Sequence, residues 1–152
     1  MIDLKQELLR LTDALSAAGI DYALCGGLAV ALHGYPRATK DIDLIIAQDA
    51  IESVRAIIDP MGFHIDAGRI LFKQGTSEET TAWRISRAEG ENLVTIDFFL
   101  VSPFLEDVWN ERQEFEIDNS NTRLWAVSLK GLQKMKRSAG RALDLADLEK
   151  LE

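Results

Sequence analysis

Two aspartates stand two residues apart in an otherwise apolar segment, Asp41 to Ala47. The isoleucine and leucine residues of this segment predict a β-strand, whose side chains alternate between its two faces. Asp41 and Asp43 are therefore expected on one face, with Cα atoms ~6–7 Å apart, while Ile42 and Leu44 point into the core. Neighbouring carboxylates repel each other, and a cation between them removes that repulsion. The segment predicts a Mg²⁺ site, because Mg²⁺ prefers oxygen ligands; the alternative is a solvent-facing strand with two acids.

A glycine pair precedes this strand. Gly26 and Gly27 lie between a predicted strand, residues 22–25, and a short apolar helix, residues 28–32. Glycine lets the backbone approach a ligand closely, and the N-terminus of the helix offers free N–H groups to a phosphate. The alternative is a tight turn between strand and helix that binds nothing.

A third acid, Asp97, lies within an apolar strand predicted over residues 93–101. An aspartate buried in such a strand is costly unless it is paired. The sequence therefore predicts that Asp97 reaches the same metal site from a neighbouring strand. The alternatives are an exposed aspartate or one paired with an arginine.

The other hydrophobic patterns predict a mixture of helices and strands. Leucines spaced by three and four predict a first helix, which Gly19 ends, and Asp49 is expected to cap a helix that runs to about Asp59. Further strands are predicted over residues 63–66, 69–73, 81–87, 115–117 and 123–126, and helices over residues 103–110 and from Ser128 onward, with a break near Gly140. This order predicts an α+β (mixed α/β) fold rather than a regularly alternating parallel sheet.

Composition limits the function classes. The 152 residues fit a single domain, 1–152, without a linker tract. A net charge of −8 argues against the broad basic surface that most DNA-binding domains carry. The single cysteine, Cys25, cannot form an internal disulfide, and no apolar run approaches the ~20 residues that span a bilayer. We therefore expect a cytoplasmic protein that does not enter a membrane.

The run from Cys25 to Leu44, followed by Asp97, resembles the signature of the DNA polymerase beta-like nucleotidyltransferase superfamily. In that superfamily a Gly-Gly or Gly-Ser turn precedes an Asp-x-Asp strand, and a third acid follows on a later strand. The finer resemblance is to small AbiEii-type and minimal nucleotidyltransferases. It extends to the C-terminal segment, in Lys136, Gly140-Arg141 and Asp144-Leu145-Ala146-Asp147-Leu148.

This resemblance implies a nucleotidyltransferase fold, a mixed twisted sheet with helices packed on it and a C-terminal helical segment. It implies roles for matching positions: Gly26 and Gly27 would hold the nucleotide phosphates, and Asp41 and Asp43 would ligate Mg²⁺, with Mn²⁺ as the alternative ion. Asp97 would be the third carboxylate, as metal ligand or general base.

The implied activity is transfer of a nucleoside monophosphate from a nucleoside triphosphate, such as ATP, to a hydroxyl group of a protein, an RNA or a small molecule. Lys136 would lie near the triphosphate. Arg37 and Lys40 flank the Asp-x-Asp strand and would either neutralise phosphate charge or balance the carboxylates.

Two other interpretations stay open. One is a toxin–antitoxin component, with the acceptor held by a partner protein or by a second copy of the chain in a homodimer. The other is a nucleotide-binding module with little or no turnover.

A basic helical stripe is a further candidate, formed by Lys130, Lys134, Arg137 and Arg141 at a spacing of four, three and four residues. It predicts either an anion site or a solvated face. His33 lies just before the Gly34 turn and is a candidate to line the cleft.

Overall fold

The computed structural model describes residues 2–118 and 121–152. Within these ranges, six α-helices and seven strands follow one another. In chain order they are α1 (Leu4–Ala17), β1 (Ala23–Cys25), α2 (Gly26–Leu32), β2 (Asp41–Ile46), α3 (Ile51–Ile58), β3 (Ile65–Phe72), β4 (Thr80–Glu89), β5 (Asn92–Leu100), α4 (Glu106–Asn110), β6 (Gln113–Glu116), β7 (Arg123–Ala126), α5 (Leu129–Ala139) and α6 (Ala142–Leu151). The predicted α+β class and C-terminal helical segment are confirmed.

The strands form one mixed sheet in the order β3-β4-β5-β2-β1-β7-β6. β2 lies at its centre, parallel to β5 and antiparallel to β1. β4 pairs antiparallel with both β3 and β5, while β7 pairs parallel with β1 and antiparallel with β6. Because β2 and β5 are parallel, a long connection joins them, and it brings residues far apart in sequence side by side.

The two faces of β2 differ as the sequence predicts. Ile42 and Leu44 are fully buried and lie opposite Ile96 and Phe98 of β5. The alternation of side chains places Asp41 and Asp43 on the other face, where both are partly exposed. The core on one face thus fixes the orientation of the acids on the other.

Short-range signals set the ends of several helices. The Asp3 side chain accepts a hydrogen bond from the Gln6 N–H at the start of α1, and Ser128 caps α5 by accepting from the Gly131 N–H. Gly140, with a φ of +64°, ends α5 in the left-handed conformation. The predicted helix break near Gly140 is therefore confirmed.

Two local predictions are wrong. Residues 63–66 and 69–73 do not form separate strands, because Gly68 makes a bulge within the single strand β3, where the pairing with β4 shifts register. Asp49 does not cap a helix. The chain instead enters α3 through a one-turn 3-10 helix, Gln48–Ala50, whose Ala50 N–H bonds the Ala47 carbonyl.

In the described part of the chain, no helix is both long and apolar enough to cross a membrane.

Candidate active site

Three adjacent strands bring charged side chains into one row. Asp43 of β2 lies directly opposite Asp97 of β5, and Asp97 lies opposite Arg84 of β4. Residues directly opposite each other in a sheet project from the same face. The row therefore reads Asp43, Asp97, Arg84, with Asp41 two residues along β2 on the same face. Asp41, Asp43 and Asp97, predicted as one site, come together.

This row forms one side of a cavity of about 250 Å³. The cavity has a charged part and an apolar part. The charged lining comprises Asp41, Asp43, Asp97, Glu78, Lys73, Arg84 and Arg141, and the apolar lining comprises Phe72, Phe99, Phe104, Leu105 and Met135. Such a mixture of apolar walls and a few converging charges is typical of small-molecule sites.

The surroundings of Asp41 and Asp43 disfavour the ionised form of both side chains. Burial, followed by the nearby charges of Asp97 and Asp41, raises the pKa of Asp43 to about 7. Burial and the charge of Asp97 also raise the pKa of Asp41. A divalent cation bound here would offset both effects, and carboxylate oxygens are the ligands that Mg²⁺ and Mn²⁺ accept. The donor set therefore fits a divalent ion.

Asp97 is engaged differently. Arg84 donates to both of its oxygens, from Nε to Oδ1 at 2.8 Å and from Nη2 to Oδ2 at 2.9 Å. Among the residues that the structure describes, no three His, Cys, Asp or Glu side chains are gathered as a set that could hold a metal ion. The structure thus presents Asp41 and Asp43 as a pair, while Asp97 is bound to the guanidinium.

The glycine turn packs against the acids. Gly26 has a φ of +68°, and a Cβ at this position would overlap the carboxylate of Asp43, approaching its Cγ to 2.7 Å. A Cβ at Gly27 would approach Thr39 Oγ1 to 2.7 Å. Both positions therefore require glycine for a close approach of their own backbone to neighbouring side chains. Contact of the turn with a nucleotide stays a prediction.

The predicted cationic residues lie outside the cavity lining. Lys136 is buried, with its Nζ 3.2 Å from Asp144 Oδ1 and 2.9 Å from Asp147 Oδ2. Arg37 forms a two-point ion pair with the same Asp147, at 2.8 and 2.7 Å. Lys40 is exposed at the start of β2, where its charge partly offsets the rise in the pKa of Asp41 that burial and Asp97 cause. Arg37 and Lys136 thus connect the start of β2 to the C-terminal helices.

Three cationic residues line the cavity but were not predicted from the sequence as a group. They are Lys73, Arg84 and Arg141. One signal for Arg84 was available. The turn at Gly90 joins β4 to β5 so that Glu89 pairs with Asn92, and counting back from this turn sets Arg84 opposite Asp97. Lys73 and Arg141 follow the ends of β3 and α5, and their position depends on tertiary packing.

Lys134, Arg137 and His33, three of the remaining candidates, have structural partners. In the basic stripe, Lys134 bonds the Phe104 carbonyl and Asp107, and Arg137 lies 3.5 Å from Glu152. The break at Gly140 also removes Arg141 from the helix that carries the others. His33 bonds the Val127 carbonyl at 3.0 Å, which places it outside the cavity lining.

Comparison with known families identifies the chain. The profile of the aminoglycoside-2''-adenylyltransferase family matches residues 7–102, which is more than half of the chain and includes all three aspartates. The chain belongs to this family. The predicted membership of the nucleotidyltransferase superfamily is thereby confirmed, and nucleotidyltransferases generally use divalent metal ions.

Solved structures agree on the fold of this aminoglycoside-2''-adenylyltransferase family member. The lincosamide antibiotic adenylyltransferase LnuA, solved with lincomycin bound, is 16% identical with a TM-score of 0.62, and the match covers 96% of this chain and 94% of LnuA. A candidate nucleotidyltransferase from Thermotoga maritima is 14% identical with a TM-score of 0.63, covering 99% and 94%. ANT(2'')-Ia, in complex with adenylyl-2''-tobramycin, is 11% identical with a TM-score of 0.53, covering 96% and 86%. No curated protein is similar enough in sequence to match.

Proposed function

We propose that this chain transfers a nucleoside monophosphate from a nucleoside triphosphate, with ATP as the first candidate donor, to a hydroxyl group of a small molecule. The observation that carries the proposal is the row of Asp43 and Asp97 on paired central strands, with Asp41 beside it, facing a cavity. Family membership supports the same reaction class.

Asp41 and Asp43 are the proposed ligands of a divalent ion, Mg²⁺ or Mn²⁺. The raised pKa of Asp43, caused by burial and by its acidic neighbours, supports this assignment because a bound cation would offset what disfavours the carboxylate form. When bound, the ion would supply electrophilic stabilisation of the charge that develops on the phosphate oxygens.

Asp97 is proposed to serve the acceptor side of the reaction. A carboxylate beside the metal ligands can orient an acceptor hydroxyl and take its proton, provided that one of its oxygen lone pairs is free. In the structure Arg84 donates one hydrogen bond to each oxygen, which leaves each oxygen a further lone pair. Opening of the ion pair would make the whole carboxylate available for this role, or for the alternative role as third metal ligand.

The triphosphate is proposed to lie against the cations of the cavity, Lys73, Arg84 and Arg141. Lys73 is exposed and has a φ of +54°, an uncommon conformation for a residue other than glycine. Arg141 has a side chain that is 77% exposed, although it also pairs with Asp144. These side chains are accessible to an anion, whereas Lys136 and Arg37 are committed to Asp147.

The apolar wall supports a small-molecule acceptor with a carbon skeleton. The wall, made by Phe72, Phe99, Phe104, Leu105 and Met135, adjoins the acids across the same cavity. An acceptor packed there gains from burial of its apolar surface while its hydroxyl meets the carboxylates.

The test is a transfer assay with ATP labelled on the α-phosphate, Mg²⁺ and a panel of hydroxyl compounds that includes an aminoglycoside and a lincosamide. We expect a labelled adduct with at least one compound, and loss of that adduct in Asp41→Asn and Asp43→Asn. Asp49→Asn is the matched control, because Asp49 is exposed in the 3-10 turn and does not line the cavity. Equal transfer by the wild type and both site variants would overturn the proposal.

A second candidate function is nucleotide binding without turnover, alone or within a toxin–antitoxin pair. The ion pair between Arg84 and Asp97 favours it, because the guanidinium bound to both oxygens restricts the approach of an acceptor hydroxyl. ATP binding without adduct formation across the panel would favour this candidate.

A further inference from the structure

Arg84 holds both oxygens of Asp97 from β4, on the side of Asp97 away from Asp43. Its guanidinium forms the two-point contact with Asp97 from the neighbouring strand. Asp97 is a buried residue, and its side chain is only 11% exposed. The guanidinium is therefore the group that neutralises this acid in the structure.

Arg84 is also free to leave. Its side chain is 42% exposed and lines the cavity, unlike the enclosed Arg87 on the same strand, whose side chain is 14% exposed and bound to Glu7 and Glu89. The guanidinium end of this ion pair is therefore solvated, although Asp97 itself is buried. A released Arg84 stays hydrated, while a divalent ion would take over the neutralisation of the buried carboxylate.

We propose that Arg84 exchanges partners when the site is loaded: it gives up Asp97 to the divalent ion and then binds phosphate oxygens of the nucleotide. This inference rests on the proposed metal site of Asp41 and Asp43. It makes Arg84 a competitor of the metal in the empty site and a phosphate-binding residue in the loaded one.

The chemistry of the guanidinium suits both states. Its rigid fork of N–H donors matches a carboxylate and a phosphate equally well, with two parallel hydrogen bonds to either. Lys73 and Arg141 line the same cavity, so the released guanidinium joins two other cations beside the triphosphate. A lysine in its place would keep the charge but lose the two-point contact.

The first measurement is Mn²⁺ affinity without nucleotide, followed by electron paramagnetic resonance. Removal of the competitor in Arg84→Met should tighten Mn²⁺ binding by about 5-fold, the equivalent of ~1 kcal/mol. Arg84→Lys should tighten it by at least about 2-fold, which separates loss of the two-point contact from loss of charge.

Arg55→Met is the matched control. The Arg55 side chain is also 42% exposed and is ion-paired, with Asp66, but it does not line the cavity. Its Mn²⁺ affinity should equal that of the wild type. In an Asp97→Asn background, Arg84→Met should no longer tighten Mn²⁺ binding, because the contested carboxylate is gone.

The second measurement is the affinity for inorganic pyrophosphate at saturating Mn²⁺. Here Arg84→Met should weaken binding by about 10-fold, since a charge-assisted two-point contact is lost. The two measurements thus move in opposite directions, which a merely structural role of Arg84 would not produce.

Four outcomes decide the matter. Tighter Mn²⁺ with weaker pyrophosphate binding in Arg84→Met supports the exchange. Unchanged or weaker Mn²⁺ binding overturns it, as does unchanged or tighter pyrophosphate binding. Failure of the metal site itself is distinguished by Asp43→Asn: if that variant and the wild type bind Mn²⁺ alike, or neither binds it, the proposed function and the exchange fall together.

Discussion

At the scale of single residues, the site is defined by charges that neighbouring strands force together. Asp43 of β2 and Asp97 of β5 lie directly opposite each other. Arg84 of β4 forms an ion pair with Asp97 only. Burial and the charges of Asp97 and Asp41 disfavour the ionised form of Asp43 and raise its pKa to about 7. The stability of the protein should therefore depend on pH.

The first prediction concerns this pH dependence. The folded state binds the Asp43 proton more tightly than the unfolded chain, with a pKa of about 7 against the ordinary 3.8. The contribution of Asp43 to stability is therefore lost as the pH rises from about 4 to 7. In EDTA, Asp43→Asn should become more stable than the wild type above that range, by up to ~4 kcal/mol. Urea unfolding at pH 4 and pH 8 measures the difference between the two proteins, and a difference independent of pH would contradict it.

A second prediction concerns the glycine turn. Gly26→Ala should destabilise the fold by ~3 kcal/mol, from a strained positive φ and from overlap with Asp43. Gly19→Ala is the control, because Gly19 has a similar φ of +73° with nothing within 4 Å of an added Cβ, and should cost only ~1 kcal/mol. Equal losses for the two variants in urea unfolding would show that the close approach to Asp43 contributes nothing.

Residue-scale prediction from sequence worked where it relied on strand alternation. Alternation alone places Asp41 and Asp43 on one face and Ile42 and Leu44 on the other. Strand alternation did not predict the partner of Arg37, because Asp147 is 110 residues away in the sequence and is brought to Arg37 only by folding. Spacing along the chain does not report contacts of that range.

At the scale of elements, ion pairs attach the C-terminal helices to the segment that precedes β2. Asp144 and Asp147 of α6 are almost completely buried and bind Lys136 of α5, while Asp147 also binds Arg37 ahead of β2. The Asp-x-x-Asp pattern, which is part of the resemblance to nucleotidyltransferases, thus has a structural role in holding α6. Arg141 remains in the cavity lining because α6 is anchored directly after it.

The third prediction tests this attachment. Asp147→Ala leaves the buried Arg37 contact and one Lys136 contact without an acid, and should destabilise the protein by ~3–5 kcal/mol. Asp107→Ala is the control, since it breaks the exposed ion pair from α4 to Lys134 of α5 and should cost ~0–1 kcal/mol. Thermal or urea unfolding compares the two, and a cost below that of Asp107→Ala would refute the anchoring role.

Element boundaries were predictable where a local signal exists and not elsewhere. Gly140 ends α5 as expected, because a left-handed residue ends a helix by its own backbone geometry. Gly68, which has the same freedom, produces a bulge because β4 continues to pair on both sides of it. Whether a glycine turns the chain or bulges it depends on a neighbouring strand that the local sequence does not contain.

At the scale of the whole molecule, one sheet with a single hydrophobic cluster connects all parts of the fold described here. We therefore expect residues 1–152 to unfold as one domain in a single transition. Trp83 reports on β4 near one edge of the sheet and Trp125 on β7 near the other. Tryptophan fluorescence and far-UV circular dichroism should give coincident urea curves; two separated transitions would argue for independently folding parts.

The central claim is that the acids of β2 bind a divalent ion, which in turn binds the nucleotide. Calorimetric titration with ATP tests it most directly, in Mg²⁺ and in EDTA, for the wild type, Asp43→Asn and Asp49→Asn. The account predicts that the wild type and Asp49→Asn bind ATP only with Mg²⁺, and that Asp43→Asn weakens this binding by at least about 10-fold, or ~1.4 kcal/mol. ATP binding of equal affinity in EDTA, or in Asp43→Asn, would contradict it.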